Sequence, residues 1–515
     1  MQWQGSAGGK GTSWGIAAAL IAAGLVESTA ICWPFNFGFI QTKPVWWLQI
    51  VVMALLPWLI GRTASLKQAF IGGAVFASAW LGATFWWLFV AMHTYGGLPS
   101  VLAIAAVILL AAALSLYYGA TVAIFWKLSN ASPTLAAAVF AALWTMAEMA
   151  RGTWLTGFGW GAMAYAHTEG PLSAWIPLLG AYGLGALAAW IAASLAMLNR
   201  ATWRHRVACL ALVCVGWLPY GVQSTTPTST LSVALLQGNI PQDEKFDTGT
   251  GVPLALRWYA EQMQHSTADM VLAPETAVPL LPQDLPEGYW DALKQHMASG
   301  HSALLTGIPL GDYKSGYTNS VIALQPASED VWRYDKHHLV PFGEFIPPLF
   351  KWFTRMMNIP LGDFNRGAIG QPSFDWKGQR IAPNICYEDL FGEELGARFI
   401  DPATAPTLFA NVSNLGWFGD TVVIDQHLQI SRMRALEFQR PFVRATNTGA
   451  TVIMDHHGNV TASLPHNIQG VLVGTVEGRT GITPYAWWVS RFGLWPLWLL
   501  ALTVLAVAWH TVPKR

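Results

Sequence analysis

Two kinds of hydrophobic pattern divide the chain. Residues 13–222 consist largely of long apolar runs, whereas residues 228–483 contain short apolar runs separated by polar segments. A helix that crosses a bilayer needs about 20 mostly apolar residues. Eight runs approach that length, at about 13–31, 45–61, 69–92, 101–126, 133–150, 173–198, 207–222 and 491–511. The pattern predicts a membrane domain of seven transmembrane helices over residues 1–225 and a C-terminal transmembrane helix over residues 491–511.

The polar segment, residues 228–483, has the pattern of one α/β domain. Short runs rich in β-branched residues alternate with stretches whose apolar residues recur at three- and four-residue steps. Such alternation is typical of helices that flank sheets. The strand-like runs are LSVALLQGN, DMVLAPE, SALLTGIPL, NSVIALQ, RIAPNICYE, PTLFANVSN, PFVRATNTG, TVIMDHHG and GVLVGTVE, and the helix-like stretches are VPLALRWYAEQMQHS, YWDALKQHMASG and DQHLQISRMRALEFQ. Residues 225–230, TTPTST, are interpreted as a linker into this domain.

Composition supports two solvents for one chain. Of the 515 residues, 53% are hydrophobic and only 11% are charged, whereas about a quarter of the residues of a typical soluble protein are charged. The charges are sparse before residue 199 and ordinary in density within residues 228–483. The net charge is zero and no long run of one sign occurs, so nothing favours nucleic acid as a partner.

Lysine and arginine predict the orientation, because cytoplasmic loops carry an excess of both. If the chain starts in the cytoplasm and crosses the membrane eight times, Lys43 and Arg151 fall in short loops on the far side. The cytoplasmic loops and termini then hold Lys10, Arg62, Lys67, Lys127, Arg200, Arg204, Arg206, Lys514 and Arg515. This distribution predicts a multi-pass membrane protein whose two termini lie in the cytoplasm and whose residues 228–483 face the other side of the membrane, which in a bacterium is the periplasm.

Cysteine usage singles out one thiol. Cys32, Cys209 and Cys214 lie in apolar segments, where a cysteine usually packs as a small hydrophobic residue. Cys386 is alone within residues 228–483, so a disulfide inside that domain has no second cysteine. Cys386 is therefore a candidate nucleophile.

Three reactive side chains follow predicted strands, where the functional groups of α/β folds collect. Glu275 ends one strand-like run, Cys386 ends another, and Lys336 follows NSVIALQ after a polar connection. A thiol nucleophile, a carboxylate base and a cation that stabilises an oxyanion are sufficient for acyl transfer. Each also has a structural interpretation: a packing cysteine, a carboxylate that caps a turn and a solvated lysine.

Histidines give little support for a metal site. His337 and His338 are adjacent, but no Cys, His or Asp residues accompany them at the spacing of a ligand set. His456 and His457 precede Gly458 and are interpreted as turn residues. We expect neither a metal nor another cofactor.

Six motifs occur in a fixed order along the chain, and together they are highly specific for one protein family. The chain resembles the apolipoprotein N-acyltransferase branch of the nitrilase superfamily through GNIPQDEKFD, APETAVP, YDKHHLVPFGEFIP, NICYED, NVSNLGWFGD and QHLQISRMRALEFQRPFVRATNTG. The resemblance covers nearly the whole chain, including GGLP and LTGFGW in the membrane half. It implies a nitrilase-like αββα sandwich for residues 228–483, added to a polytopic α-helical membrane domain of about eight transmembrane helices.

The resemblance also implies residue roles. Glu275 matches the general base, Lys336 the residue that stabilises the oxyanion, and Cys386 the nucleophile. Glu344, Tyr387 and Glu388 match positions that support the site in this family. We expect Glu388 and Asp389 to be turned away from the thiol or to hold the loop and Lys336. Substrate-gating aromatic residues match Trp417 and Phe246, although Phe246 stands where this branch is expected to have tryptophan.

The implied reaction is a ping-pong acyl transfer, the last step of lipoprotein maturation. An acyl chain moves from a phospholipid, with phosphatidylethanolamine expected, to a cysteine thioester and then to the N-terminal α-amine of a diacylglyceryl-cysteine lipoprotein. A backbone N–H after the cysteine is expected to assist Lys336 at the oxyanion. A monomer is expected.

Two other functions remain open from the sequence alone. A membrane-anchored nitrilase-type amidase would use the same three residues with water as acceptor. A transporter or channel with a periplasmic sensing domain is the second alternative, and Glu27 and Glu148 are the main charges within the predicted spans.

Overall fold

A computed structural model describes residues 10–35, 41–216, 223–328, 330–347 and 364–511 of the protein. These residues form two compact units. The helical unit contains the described residues up to 89, those within 100–223 and those from 492 onward. The α/β unit contains residues 90–99 and the described residues within 224–491.

Several helices of the helical unit begin at a side chain that caps them. Ser65, Ser132 and Thr202 each precede a helix, and each hydroxyl accepts a hydrogen bond from the main-chain N–H three residues later. Such caps satisfy N–H groups that have no partner within the helix. The principal helices are Lys10–Glu27, Trp46–Ile60, Leu66–Thr84, Ser100–Leu128, Pro133–Thr153, Ile176–Ala196, Trp203–Val215 and Trp495–Thr511.

Several helices have the length and composition of membrane spans. Within the described residues, three are long and apolar enough to cross a bilayer, at Ser100–Leu128, Pro133–Thr156 and Pro171–Ala196, and up to five if two bent pairs each count as one span. Apolar side chains of Ser100–Leu128 such as Val101, Ile108 and Leu109 are 60–77% exposed, as suits a helix that faces lipid. Residues 217–222 of the predicted seventh span lie outside the described residues. The total of eight spans therefore stays a prediction.

One predicted span differs from the structure at its end. The run at 69–92 forms a helix over Leu66–Thr84, and residues 90–99 belong to the α/β unit. Hydropathy treats Phe85–Val90 as a continuation of the helix, but the backbone leaves helical geometry at Phe85, which has φ −103° and ψ 10°.

The α/β unit is built on two six-stranded sheets. In the first sheet the strands lie in the order β12-β1-β2-β3-β4-β5, and in the second β11-β10-β9-β8-β7-β6. The strands are β1 Thr225–Gln237, β2 Met270–Leu272, β3 Ala303–Asp312, β4 Gly316–Leu324, β5 Trp332–Asp335, β6 Phe374–Trp376, β7 Gln379–Ile385, β8 Leu408–Ser413, β9 Phe442–Thr446, β10 Val452–Met454, β11 Val460–Ser463 and β12 Gly470–Gly481. In each sheet the three central strands run parallel, β1-β2-β3 and β7-β8-β9.

The sheets face each other across one hydrophobic core. Side chains such as Leu235 and Leu305 of the first sheet and Val412 and Ala445 of the second belong to the same buried cluster. The helices Gly251–His265 and Tyr289–Ser299 cover the outer face of the first sheet through a separate cluster. The buried helix Val423–Phe438 covers the second sheet, and its Phe438 ring lies 5.5 Å from that of Phe409 on β8. The two-sheet, nitrilase-like fold predicted for this part of the chain is confirmed.

The nine predicted strands and three predicted helices of this unit are all present. The linker interpretation of residues 225–230 is wrong, because these residues begin β1 and pair with β12. Residues 225–230 of β1 pair only with β12, since the pairing of β1 with β2 covers only Val233–Leu235. This part of β1 is therefore an edge strand, which can accommodate Pro227 and the register shift after it. The turn assignment of His456 and His457 is confirmed between β10 and β11.

Candidate active site

Glu275 lies just beyond the carboxyl end of β2, in a turn that is packed closely against β3. A Cβ atom on Gly307 of β3 would lie 2.5 Å from the carbonyl oxygen of Pro274 and 2.7 Å from the Cα atom of Glu275, so only glycine fits there. The next residue, Thr276, has a left-handed φ of 48°. The carboxylate of Glu275 is therefore placed by a tight and strained backbone.

Lys336 follows β5 directly and is joined to two carboxylates. Its Nζ atom lies 3.3 Å from Oε1 of Glu275 and 2.8 Å from Oε1 of Glu344. The amide of Asn319 on β4 donates to the same two oxygens, at 2.7 Å each. Although burial lowers the pKa of Lys336, the two carboxylates outweigh it, so the pKa is raised and the side chain is a permanent cation.

Cys386 stands at the end of β7 in a left-handed conformation, with φ 50°. Its side chain packs against the core between the sheets. Burial, together with the charge of Glu275, raises the pKa of the thiol to about 12 despite the opposing charge of Lys336. The resting thiol is thus protonated, and a base must remove its proton before it can attack.

Lys245 adds a second buried cation to the site. Its Nζ atom donates to the carbonyl oxygen of Glu275 at 3.1 Å and to the hydroxyl of Thr276 at 2.6 Å. Burial lowers the pKa of Lys245 to about 8, although Glu275 opposes this shift. Two lysines and the carboxylates of Glu275 and Glu344 therefore come together, and their formal charges balance.

Glu388 connects the cysteine loop with the lysine loop. One carboxylate oxygen accepts from the main-chain N–H of His337 at 2.7 Å and of His338 at 3.2 Å. The other accepts from the N–H of Ile385 at 2.7 Å and the hydroxyl of Tyr334 at 2.8 Å. This carboxylate ties the residue before Cys386 to the residue after Lys336.

Asp389 belongs to a different network. It accepts from Nε2 of His427 at 2.8 Å, from a guanidinium N–H of Arg444 at 3.2 Å and from the hydroxyl of Ser431. All four side chains are fully buried. Asp389 is therefore engaged on the side of the helix Val423–Phe438.

The remaining predicted site residues lie around this centre. Tyr387 is buried, with its ring 5.1 Å from Phe391 and 5.5 Å from His338. Phe246 is half-buried, and its ring centroid lies 5.8 Å from Nζ of Lys245. Trp417 follows β8 and is half-buried. Among the described residues, no ring contact joins the two aromatic residues that were predicted as a gate.

Sequence reasoning missed three residues that the fold brings to the site. Lys245 stands within the motif GNIPQDEKFD, next to Phe246, and Asn319 begins the run NSVIALQ. His427 is part of the motif QHLQISRMRALEFQ, and its Nε2 atom lies 3.2 Å from the carbonyl oxygen of Cys386. Each of the three residues lies in a segment that the sequence singles out, but the residue that it contacts at the site is far away along the chain.

Metal ligands are not gathered at this site. Within the described part of the chain, no group of three or more His, Cys, Asp or Glu side chains could hold a metal ion. The Nδ1 atom of His337 lies 2.7 Å from the carbonyl oxygen of Gly367, and that of His338 lies 2.9 Å from Glu394. Both rings therefore have protein partners.

The arrangement has the parts that acyl transfer requires. A carboxylate and an ammonium group act electrostatically on one protonated thiol. The carboxylate of Glu275 is held by Asn319, Lys336 and the main-chain N–H of Asn414 at 3.1 Å. A held base, a nucleophile and a cation can together remove a proton and stabilise a tetrahedral oxyanion.

Family models match two parts of the chain. Residues 29–194 match the family model described as apolipoprotein N-acyltransferase N-terminal domain, and residues 232–485 match the model described as carbon-nitrogen hydrolase. A carbon-nitrogen hydrolase of known structure from Helicobacter pylori is similar over 52% of this chain and 94% of its own, with 16% identity and a TM-score of 0.35.

Curated relatives cover most of the chain. A protein from Verminephrobacter eiseniae named apolipoprotein N-acyltransferase is 54% identical over 508 residues, which is 94% of both chains. A protein of the same name from Ralstonia nicotianae is 45% identical over 446 residues, or 85% of both chains. The chain therefore belongs to the apolipoprotein N-acyltransferase family.

Proposed function

We propose that this acyltransferase uses Cys386 as nucleophile, Glu275 as general base and Lys336 as the cation that stabilises the oxyanion. The observation that carries the proposal is the pairing of Lys336 with Glu275 and Glu344, close enough to Cys386 that the charges of all three side chains act on its thiol. The protein is an enzyme of the apolipoprotein N-acyltransferase family, and its carbon-nitrogen hydrolase domain fits acyl transfer. The individual residue roles are the proposed part.

In the first half-reaction, Glu275 takes the thiol proton while the sulfur of Cys386 attacks the ester carbonyl carbon of a phospholipid. The carbonyl π electrons move to its oxygen, which becomes the oxyanion. When that oxygen re-forms its double bond, the ester C–O bond breaks and Glu275 gives the proton to the departing lysophospholipid. One carboxylate thus serves as base and then as acid, and the enzyme is left with a thioester.

In the second half-reaction, the α-amine of a diacylglyceryl-cysteine lipoprotein attacks the thioester carbon. Glu275 takes a proton from the amine, the carbon–sulfur bond breaks, and the same proton restores the thiol of Cys386. The products are an amide and the free enzyme. An apolar surrounding that excludes water would favour the amine over hydrolysis of the thioester.

Lys336 supplies the charge that the oxyanion needs. One donor to an oxyanion contributes about 2.7–4 kcal/mol to stabilisation of the transition state. Glu344 lies closer to Nζ of Lys336 than Glu275 does. It orients the lysine and shares its charge, so Glu275 is left able to accept a proton.

The substrates follow from the family reaction. We propose phosphatidylethanolamine as acyl donor and a diacylated lipoprotein as acceptor, with no cofactor, no nucleic acid and a monomeric enzyme. Phe246 and Trp417 are proposed to gate the lipid. In support, both are half-buried aromatic side chains, and Trp417 packs at 5.9 Å against Tyr95 within the α/β unit.

The proposed location is the bacterial inner membrane. The domains would be a membrane domain of seven spans over residues 1–225, a periplasmic catalytic domain over 228–483 and a C-terminal span over 491–511. Both termini would lie in the cytoplasm. The apolar helices of the helical unit and the nine-to-two distribution of lysine and arginine between the predicted sides support this topology.

The transfer reaction can be tested directly against the amidase alternative. The purified protein would be incubated with phosphatidylethanolamine of defined acyl chains and a synthetic diacylglyceryl-cysteinyl peptide. We expect the peptide to gain one acyl mass through an amide on its α-amine. Release of ammonia from small amides without acylation of the peptide would favour the amidase, and solute flux in liposomes would favour a transporter.

A further inference from the structure

The carbonyl oxygen of Cys386 is held by two side chains on the helix-covered side of the second sheet. The Nδ2 atom of Asn411 donates to it at 3.2 Å, and Nε2 of His427 lies at the same distance. Asn411 is on β8 and His427 is on the helix Val423–Phe438. Both side chains are fully buried.

His427 is fixed as a neutral donor. Arg444 donates from its guanidinium to Nδ1 of His427 at 3.1 Å, so the imidazole proton resides on Nε2. Nε2 lies 2.8 Å from Oδ1 of Asp389 and 3.2 Å from the carbonyl oxygen of Cys386, and both atoms are acceptors. Burial, aided by Arg444, lowers the pKa of His427 although Asp389 opposes it. One N–H is thus shared between a carboxylate and the carbonyl of the candidate nucleophile.

The direction of that carbonyl determines where the next N–H points. In a trans peptide the C=O and N–H groups point in opposite directions, and the protein has no cis peptide bond among the described residues. Because the carbonyl of Cys386 points to Asn411 and His427, the N–H of Tyr387 points away from the helix Val423–Phe438.

We propose that His427 is a positioning residue, which orients the Cys386–Tyr387 peptide so that the N–H of Tyr387 joins Lys336 as a donor to the oxyanion. Asp389, Ser431 and Arg444 hold the imidazole in the orientation and tautomer that this role requires. The inference rests on the proposed role of Cys386 as nucleophile. It goes further by assigning a function to a buried network on the far side of the cysteine loop.

Two amide variants separate this role from simple packing. In H427Q the side-chain nitrogen can occupy the position of Nε2 and donate to the carbonyl of Cys386, whereas in H427N the shorter side chain places it near Nδ1. Two rates would be measured: single-turnover acylation by labelled phosphatidylethanolamine, and alkylation of Cys386 by iodoacetamide, which forms no oxyanion. Thermal unfolding would verify that both variants are folded.

We expect acylation to fall about 10- to 100-fold in H427N, part of the 10²–10³-fold effect of deleting an oxyanion donor, and to stay within about 3-fold of wild type in H427Q. Alkylation should change little in either variant. Equal acylation rates in the two variants would overturn the inference, as would parallel losses of acylation and alkylation in H427N.

A third variant protects the test against misfolding of H427N. In S431A the hydroxyl that supports Asp389 is removed while the imidazole stays, and we expect a smaller loss of acylation, about 3- to 10-fold, with alkylation unchanged. Unchanged acylation in S431A would then contradict the inference. Wild-type protein that carries no acyl group on Cys386 would instead refute the proposed function, so the two failures are distinguishable.

Discussion

Glu344 lies 2.8 Å from Nζ of Lys336, closer than the 3.3 Å that separates the same nitrogen from Glu275. The lysine is therefore shared between two carboxylates, and the stronger partner is the one that we do not assign as the base. The side-chain amide of Asn319 donates to both carboxylates and so holds them next to each other.

Removing the charge of Glu344 should weaken the base. In E344Q the ammonium group of Lys336 has Glu275 as its remaining carboxylate partner among the described residues, so Glu275 binds a proton less readily. Because general base catalysis contributes about 10²–10⁴-fold, we expect single-turnover acylation to fall by about 10- to 100-fold. The exposed Glu287 offers a matched control, and E287Q should behave as wild type. Wild-type acylation in E344Q would contradict this account of the ion pair.

The thiol should titrate late. Burial raises the pKa of Cys386 to about 12 from 9.0, so the thiolate fraction at pH 7 is small. We expect the rate at which iodoacetamide alkylates Cys386 to rise continuously between pH 7 and pH 10, without a plateau. A plateau below pH 8 would indicate a preformed thiolate and contradict a base-dependent mechanism.

Lys245 should link stability to pH. Its pKa is about 8 in the folded protein and 10.5 without burial, so the folded state binds the proton less tightly than the unfolded state does. The contribution of Lys245 to stability is therefore complete above pH 10.5 and is lost as the pH falls to 8. As the pH rises from 8 to 10.5, the Tm of wild type should therefore increase relative to the Tm of K245M. A pH-independent difference would count against a buried, perturbed lysine.

Gly307 should be intolerant of any side chain. A Cβ atom there would lie 2.5 Å from the main-chain oxygen of Pro274 and from the main-chain nitrogen of Thr276. We expect G307A to destabilise the domain by about 1–3 kcal/mol through overpacking. Displacing Glu275 by about 1 Å should also slow acylation by about 100-fold. The control is G470A, because the atoms nearest to a Cβ atom on Gly470 lie at 3.6 and 3.7 Å, which is ordinary van der Waals contact. Near-normal acylation in folded G307A would show that the close contact does not place the base.

The sequence predicted the sheets well because their central strands are buried on both faces. The runs that became β1, β3 and β8 each contain a cluster of buried apolar residues, which local composition reveals. The strands β5, β6 and β11 were missed because each has only three or four residues of mixed polarity, WRYD, FDW and VTAS. The pairing of β1 with β12, which made residues 225–230 a strand, joins residues as far apart in the chain as Thr225 and Gly481.

The site was predictable to the extent that each residue follows a strand. Glu275 and Cys386 ended recognisable apolar runs, and the resemblance supplied their partners. The contacts of Asp389 were not predictable, because its partner His427 is 38 residues away along the chain, on the packed helix Val423–Phe438. The acidic residues after the cysteine separate in the fold, since Glu388 joins the lysine loop and Asp389 joins the helix Val423–Phe438.

The most direct measurement is intact-mass spectrometry of the purified protein after incubation with phosphatidylethanolamine of one defined acyl chain. We predict that wild-type protein gains the mass of one acyl group, that fragmentation places it on Cys386, and that a diacylglyceryl-cysteinyl peptide removes it. C386A should gain no such mass. An acyl group on another residue of the wild-type protein, or the same gain in C386A, would contradict the account.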